Sequence, residues 1–181
     1  MVGLGFAYMA MRNNERFILS TFSDKIEIFR PKRGRRQLAA MIDYLSEKRS
    51  ENITNFEESV GQYYKAMVKN RSMIIIISDF LYPIEQIKNT MMRFKDHQVK
   101  LIQVLDPMEQ DLNIEGDFKL IDSETKTQIR TFLSPYLRKQ YKGALASHNA
   151  QIQDIASQIR GQFVTVNSGN ELFDTFYHIL G

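Results

Sequence analysis

The chain has 181 residues, enough for one domain, spanning 1–181, with a sizeable core. Its 43% hydrophobic and 25% charged residues are the balance of a globular protein, and no apolar run approaches the roughly 20 residues of a membrane span. The absence of cysteine excludes disulfides, thiolate metal sites and a cysteine nucleophile and fits a cytoplasmic location, while a net charge of +3 is too mild to imply nucleic acid.

From the amino terminus, residues 2–12 read as the tail of a helix closed by Asn13-Asn14. The apolar start has neither a basic n-region nor a small-residue cleavage site, so it reads as helix and not as a signal peptide. Residues 17–23 predict a strand, Asp24-Lys25 a tight turn, and Ile26-Glu27-Ile28-Phe29 a second strand, a hairpin that Pro31 ends. Leu38, Met41, Ile42 and Leu45 fall on one face of a helix predicted over residues 34–48. A polar loop over 50–54 leads to a helix over 56–70, with Asn55 or Thr54 as its N-cap.

The run Met73-Ile74-Ile75-Ile76-Ile77 has four isoleucines in a row. It predicts a strand buried on both faces, of the kind found at the centre of a parallel sheet. The run stops at Ser78-Asp79, which puts a carboxylate at the carboxyl end of the strand. That edge is where open α/β sheets bind ligands. A helix begins near Pro83 and runs to about residue 96. Val99-Lys100-Leu101-Ile102-Gln103-Val104-Leu105 is a second apolar strand ending at Asp106-Pro107. Strand, helix and strand with short links form a βαβ unit, so the two strands are predicted parallel. Residues 113–132 break this rhythm and predict an inserted β-hairpin. A long helix over 135–160 follows, stopped by Gly161. Phe163-Val164-Thr165-Val166 is a last strand and residues 170–180 a last helix. The order is α-ββ-α-α-β-α-β-ββ-α-β-α, one α/β domain with a hairpin insertion.

Several residues could carry chemistry. Asp79 and Asp106 end neighbouring strands and could share a Mg²⁺ ion, although capping the next turn is the default for each. Thr54 could cap its helix or ligate a metal, with capping the default. Arg30, Lys32, Arg33, Arg35 and Arg36 form one short basic cluster without interleaved aromatics, which favours a solvated loop or an acidic protein partner over nucleic acid. His97, His148 and His178 lie in different elements with no ligand spacing and receive no catalytic role. Tyr63-Tyr64, Tyr136 and Tyr141 fit core or groove packing better than a stacking platform. There is no nucleophile elbow and no complete glycine-rich phosphate loop.

Four stretches together resemble a known family. They are Ala10-Met11-Arg12-Asn13-Asn14-Glu15-Arg16-Phe17 through Phe22-Ser23-Asp24, the basic turn Pro31-Lys32-Arg33-Gly34-Arg35-Arg36, the strand end Ile75-Ile76-Ile77-Ser78-Asp79-Phe80-Leu81, and Val104-Leu105-Asp106-Pro107-Met108-Glu109-Gln110-Asp111-Leu112. Gly116, then Leu120-Ile121-Asp122-Ser123-Glu124-Thr125, and residues 141–148 of the long helix extend the match. On these residues the chain resembles the proteins catalogued as domain of unknown function 58, which look like von Willebrand factor A domains.

The resemblance implies a Rossmann-like, mainly parallel sheet flanked by helices. It also implies a metal-ion-dependent adhesion site for Mg²⁺ or Mn²⁺, in which Thr54 and Asp79 match two ligand positions and Ser78 stands beside them. The family's Asp-x-Ser-x-Ser motif and first strand are absent from this chain. The site is therefore expected to be complete only in a longer protein, one that family resemblance suggests is anchored in a membrane. Loss of that strand predicts low stability, self-association or strand replacement by another chain. The function implied is protein recognition without catalysis, with a MoxR-type AAA+ ATPase as partner. The rival is a Mg²⁺-dependent phosphoryl-transfer or hydrolytic enzyme using Asp79 and Asp106.

Overall fold

The βαβ unit expected from the two apolar strands is present, and a third strand extends it. The computed structural model describes residues 1–22, 26–29, 35–47, 56–67, 71–112, 116–121 and 128–180. These fall into two units, Met1–Ala66 and Met67–Gly181.

In the first unit, α1 (Val2–Arg12) ends as Asn13-Asn14 predicts. Asn14 takes a left-handed φ of 56°, a conformation asparagine tolerates better than most residues. The amides of Asn14 and Glu15 then close back on the carbonyls of Met11 and Ala10. Strands β1 (Leu19–Phe22) and β2 (Ile26–Phe29) pair antiparallel. Helices α2 (Arg35–Glu47) and α3 (Phe56–Met67) follow. Tyr44 of α2 bridges the hairpin, its hydroxyl 3.0 Å from Thr21 Oγ1 and donating to Glu27 at 2.9 Å. Phe56 is buried and meets the ring of Phe22 edge-on, with centroids 5.8 Å apart. The Asp24-Lys25 turn, Pro31, residues 30–34 of the basic cluster and the loop carrying Thr54 lie outside the described residues.

The second unit holds a parallel sheet in the order β3 (Met73–Ser78), β4 (Gln98–Leu105), β7 (Gln162–Asn167). Helix α4 (Ile84–Met92) links β3 to β4. A short helix α5 (Pro107–Asp111), the antiparallel pair β5 (Gly116–Ile121) and β6 (Gln128–Leu133), and the long helix α6 (Pro135–Gln158) lie between β4 and β7. Helix α7 (Leu172–Leu180) ends the chain. The inserted hairpin is thus confirmed, and α5 was not anticipated.

Alternation along the strands assigns the two faces of this sheet. Gln103 and Thr165 share a face, and Gln103 reaches Asn149 of α6. Lys100 points the other way and reaches the backbone of α7. Helix α6 therefore covers one face, together with α4 against which it packs, and α7 covers the opposite face.

One expectation is corrected: the Met73–Ile77 run is not buried on both faces. Among the described residues β4 pairs on both sides, whereas β3 pairs with β4 alone. Burial follows the pairing. Only Ile76 of the four isoleucines is buried, while Val99, Leu101, Ile102, Gln103 and Leu105 of β4 all are. A run of β-branched residues reports strand preference and apolarity, not the number of neighbouring strands.

Candidate functional site

The carboxyl edge of the parallel sheet gathers the polar side chains that the strands deliver. Strand β3 ends at Ser78, and the chain turns sharply through Asp79, Phe80 and Leu81. The Asp79 carboxylate is exposed, and its Oδ1 accepts the Leu81 amide at 3.1 Å. Ser78 Oγ accepts the Phe80 amide at 3.2 Å and lies 3.4 Å from Asp79 Oδ1 and from the Tyr82 hydroxyl. These local bonds are of the aspartate and serine turn type.

Phe80 has a φ of 54°. A bulky aromatic in the left-handed region is an outlier, at a cost on the order of 1–2 kcal/mol. The surroundings hold it there. Its ring is fully buried and packs edge-on against Phe163 of β7, centroids 6.3 Å apart. Its carbonyl lies 2.8 Å from Nε2 of His148 on α6, and a carbonyl can only accept, so this nitrogen carries the proton. The carbonyl of Asp79 accepts from Gln103 Nε2 at 2.8 Å. The turn that presents the Asp79 carboxylate is therefore fixed from β4, β7 and α6 together. Strained, over-determined turns of this kind concentrate at functional sites.

Asp106 at the end of β4 follows the capping default. Its Oδ1 accepts the Met108 amide at 2.9 Å, and Glu109 Oε2 accepts the Asp106 amide at 2.9 Å, closing a capping box on α5. Its Oδ2 lies 3.5 Å from Ser168 Oγ, after β7. Asn167 bonds Gln110 of α5 at 3.0 Å. Both oxygens of Asp106 are thus engaged in holding α5 and the segment after β7.

At this edge residues 78–86, 105–110 and 167–175 carry Asp79, Glu85, Asp106, Glu109, Glu171 and Asp174, while the start of α6 carries Arg138, Lys139 and Lys142. Tyr141 of α6 lies near this edge. Its phenol is pushed above the ordinary value by burial, with a smaller push from the Glu109 carboxylate. Exposed Leu81 and Met108 stand among these carboxylates.

Of the two metal ligands implied by the resemblance, Asp79 stands where the sequence places it. Thr54 lies outside the described residues. Among the described residues no three histidine or acidic side chains group as a metal site. One carboxylate does not make a Mg²⁺ site, because that ion demands several oxygen ligands in near-octahedral array.

Sequence reasoning missed Gln103, His148, Asn149 and Thr165, which frame the turn. A glutamine inside an apolar strand was the one available signal, because a buried amide needs partners. Tyr136, expected in a core or groove, is exposed instead. It sits in the first turn of α6, beyond the part of that helix that buries Ile152 and Ile155.

A family model described as "Protein of unknown function DUF58" matches residues 1–151. An uncharacterized protein of Mycobacterium bovis is 38% identical over 93 residues, covering 51% of this chain and 28% of that protein. One from Mycobacterium avium is 37% identical over 92 residues, covering 51% of this chain and 53% of its own length. The chain thus matches about half or less of the length of these curated relatives.

Among solved structures, the conserved hypothetical protein BatB from Bacteroides thetaiotaomicron is similar, with a TM-score of 0.51 and 15% identity, over 96% of this chain and 82% of that one. An aerotolerance-related membrane protein from Bacteroides fragilis gives a TM-score of 0.52 and 14% identity, over 97% of this chain and 87% of that one. These two are likenesses of fold. The parallel sheet with helices on both faces is consistent with a Rossmann-like, von Willebrand A-type architecture.

Proposed function

The chain belongs to the family described as Protein of unknown function DUF58, and from that premise we propose that it is a non-enzymatic protein-interaction module whose contact surface is the carboxyl edge of its parallel sheet, centred on Asp79. The observation that carries this reading is the Ser78-Asp79-Phe80-Leu81 turn. It is strained, clamped from three other elements, and directs an exposed carboxylate outward. A binding site benefits from such rigidity because little freedom is lost on association. Nothing in the proposed recognition requires a bond to be made or broken.

The suggested partner is a MoxR-type AAA+ ATPase, on family resemblance. Metal assistance by Mg²⁺ or Mn²⁺ through Thr54 and Asp79 belongs to this proposal only for a longer protein that supplies further oxygen ligands. Without a cation, the exposed Asp79 carboxylate favours a basic side chain on the partner; with one, the site favours a carboxylate. The enzymatic reading is less well supported, since Asp106 takes the capping role on α5.

The test is calorimetric titration of a MoxR-type ATPase into the chain, with and without Mg²⁺, for the native protein and Asp79→Asn. Binding by the native chain and its loss in the variant is the expected result. Hydrolysis of a phosphomonoester that disappears in Asp79→Asn, without any partner binding, would overturn the reading.

A further inference from the structure

Strand β3 has two edges, and among the described residues only the one facing β4 is paired. One bond shows which groups lie on the other edge. The Gln98 amide donates to the Ser72 carbonyl, so Ser72 turns its backbone toward β4. Backbone groups alternate in direction along a strand. Ile74, Ile76 and Ser78 therefore also face β4, while Met73, Ile75 and Ile77 point their N–H and C=O groups away from it.

Natural proteins block such an edge with lysine, proline, a bulge or a very short strand. Residues Met73–Ser78 contain no charged residue and no proline, and their register with β4 runs unbroken. Met73 is 64% exposed, and Ile74, Ile75 and Ile77 are half-buried. A row of backbone donors and acceptors is satisfied along its length by another extended strand.

The residues flanking β3 say which strand. Arg71 precedes it and Asp79 follows it, and both are exposed. Let the strand meet a second copy of itself antiparallel, with Ile75 opposite Ile75. Met73 then stands opposite Ile77, and Arg71 of each copy stands opposite Asp79 of the other. The outward groups of Met73, Ile75 and Ile77 meet as hydrogen-bonded pairs, and opposite charges close both ends. The outer edge of β7 lacks this match, since the same arrangement centred on Thr165 sets Arg160 opposite Asn170. A two-fold axis through the Ile75 pair keeps α4 and α6 of both copies on one side of the joined sheet. It also closes on itself, so pairing stops at a dimer.

We propose that the chain forms a two-fold dimer through the outer edge of β3, in this register. Its affinity comes from main-chain bonds and the terminal ion pairs and not from a large apolar area, as in other strand additions. The dimer is therefore reversible and belongs to the small-interface class. The inference does not rest on the role given to Asp79, because a protein that took this carboxylate would meet the monomer.

Sedimentation of the whole chain over a range of concentrations is expected to show monomer and dimer in exchange. Ile75→Pro removes an outward amide and spares the bonds to β4, as edge strands tolerate. It is expected to weaken the dimer at least about tenfold. Arg71→Glu sets like charges opposite each other and is expected to weaken it severalfold, more at low salt than at high. Adding Asp79→Lys to that variant reverses both charges and is expected to restore pairing.

The chain has no cysteine, so Ile75→Cys tests the register directly. Residues of a hydrogen-bonded antiparallel pair have Cα atoms about 5.5 Å apart, within reach of a disulfide. Mild oxidation is expected to link Ile75→Cys chains covalently. Ile77→Cys, opposite Met73 and far from its own counterpart, is expected to stay unlinked. Both cysteine variants keep the backbone of β3 intact and decide the matter should Ile75→Pro disturb folding. A monomer at every concentration, equal linking of the two cysteine variants, or a dimer indifferent to both Ile75→Pro and Arg71→Glu would overturn the proposal.

Discussion

Gln103 donates its side-chain amide to the backbone carbonyl of Asp79 at 2.8 Å. The same nitrogen reaches Asn149 Oδ1 at 3.0 Å, and the Gln103 oxygen accepts from Thr165 Oγ1 at 3.0 Å. One fully buried side chain on the middle strand thus ties together the end of β3, helix α6 and strand β7. Gln103→Leu keeps the volume close but leaves these groups without partners. Each orphaned buried group costs about 1–3 kcal/mol. The half-buried Asn149 and Thr165 can recover some of this with water, so a loss of about 2–4 kcal/mol is expected. Urea unfolding measures it, and a loss below 1 kcal/mol (about a fivefold change in equilibrium) would mean that the network does not hold the edge.

Phe80 gives an inverted glycine test. Phe80→Ala removes a buried ring, at a cost of about 3–5 kcal/mol. Phe80→Gly removes the same ring but also relieves the left-handed backbone, worth about 1–2 kcal/mol, against the greater freedom of glycine when unfolded. At an ordinary position glycine is the less stable of the two. Here Phe80→Gly is expected to equal or exceed Phe80→Ala in unfolding free energy. If glycine proves clearly worse, the turn at φ 54° carries no strain.

The strands, helices and inserted hairpin were legible because their signals are local. Isoleucine runs, helical spacing and Asn13-Asn14 each act over a few residues. The place of β3 in the sheet was not legible, since pairing depends on distant segments. The candidate site was half legible. Asp79 could be placed by the rule that parallel strands present their carboxyl ends to ligands. Phe80, His148 and Gln103 could not be connected, because they come from separate elements and meet only through the register of β4 with β3 and β7.

Arg160 and Gly161 divide a task that the sequence assigns to Gly161 alone. The left-handed residue after α6 is Arg160, with a φ of 55°. The amides of Arg160 and Gly161 return to the carbonyls of Ser157 and Ala156. Glycine is needed at 161 for space, since a Cβ there would stand 2.9 Å from the Val99 carbonyl oxygen. Arg160→Gly is therefore expected to stabilise by roughly 0.5–1 kcal/mol. Gly161→Ala is expected to destabilise by about 1–3 kcal/mol. Thermal unfolding of the two variants should shift in opposite directions.

Tyr141 supplies a pH dependence at the same edge of the sheet. Burial is the larger cause of its raised value and Glu109 the smaller. The folded phenol gives up its proton later than the unfolded one. Its contribution to stability is intact below the ordinary value of 10.0 and is lost as the pH rises through the folded value. Ultraviolet titration of the phenolate should show a late-titrating tyrosine that Tyr141→Phe removes. Glu109→Gln, which preserves the capping arm, should bring the midpoint only part of the way back. A full return would make charge, and not burial, the main cause.

Lys100 ties the end of α7 to β4. Its ammonium group donates to the Ile179 carbonyl at 2.6 Å, from the face of β4 opposite α6. A cation at a helix carboxyl end satisfies a carbonyl left open and complements the helix dipole. Lys100→Met keeps most of the packed stem and removes the charge. The expected cost is about 1–2 kcal/mol, confined to the last helix. Hydrogen exchange should therefore quicken in residues 172–180 while β4 amides keep their protection, since local opening is cheaper than global unfolding. An equal rise in both would mean that Lys100 supports the whole sheet.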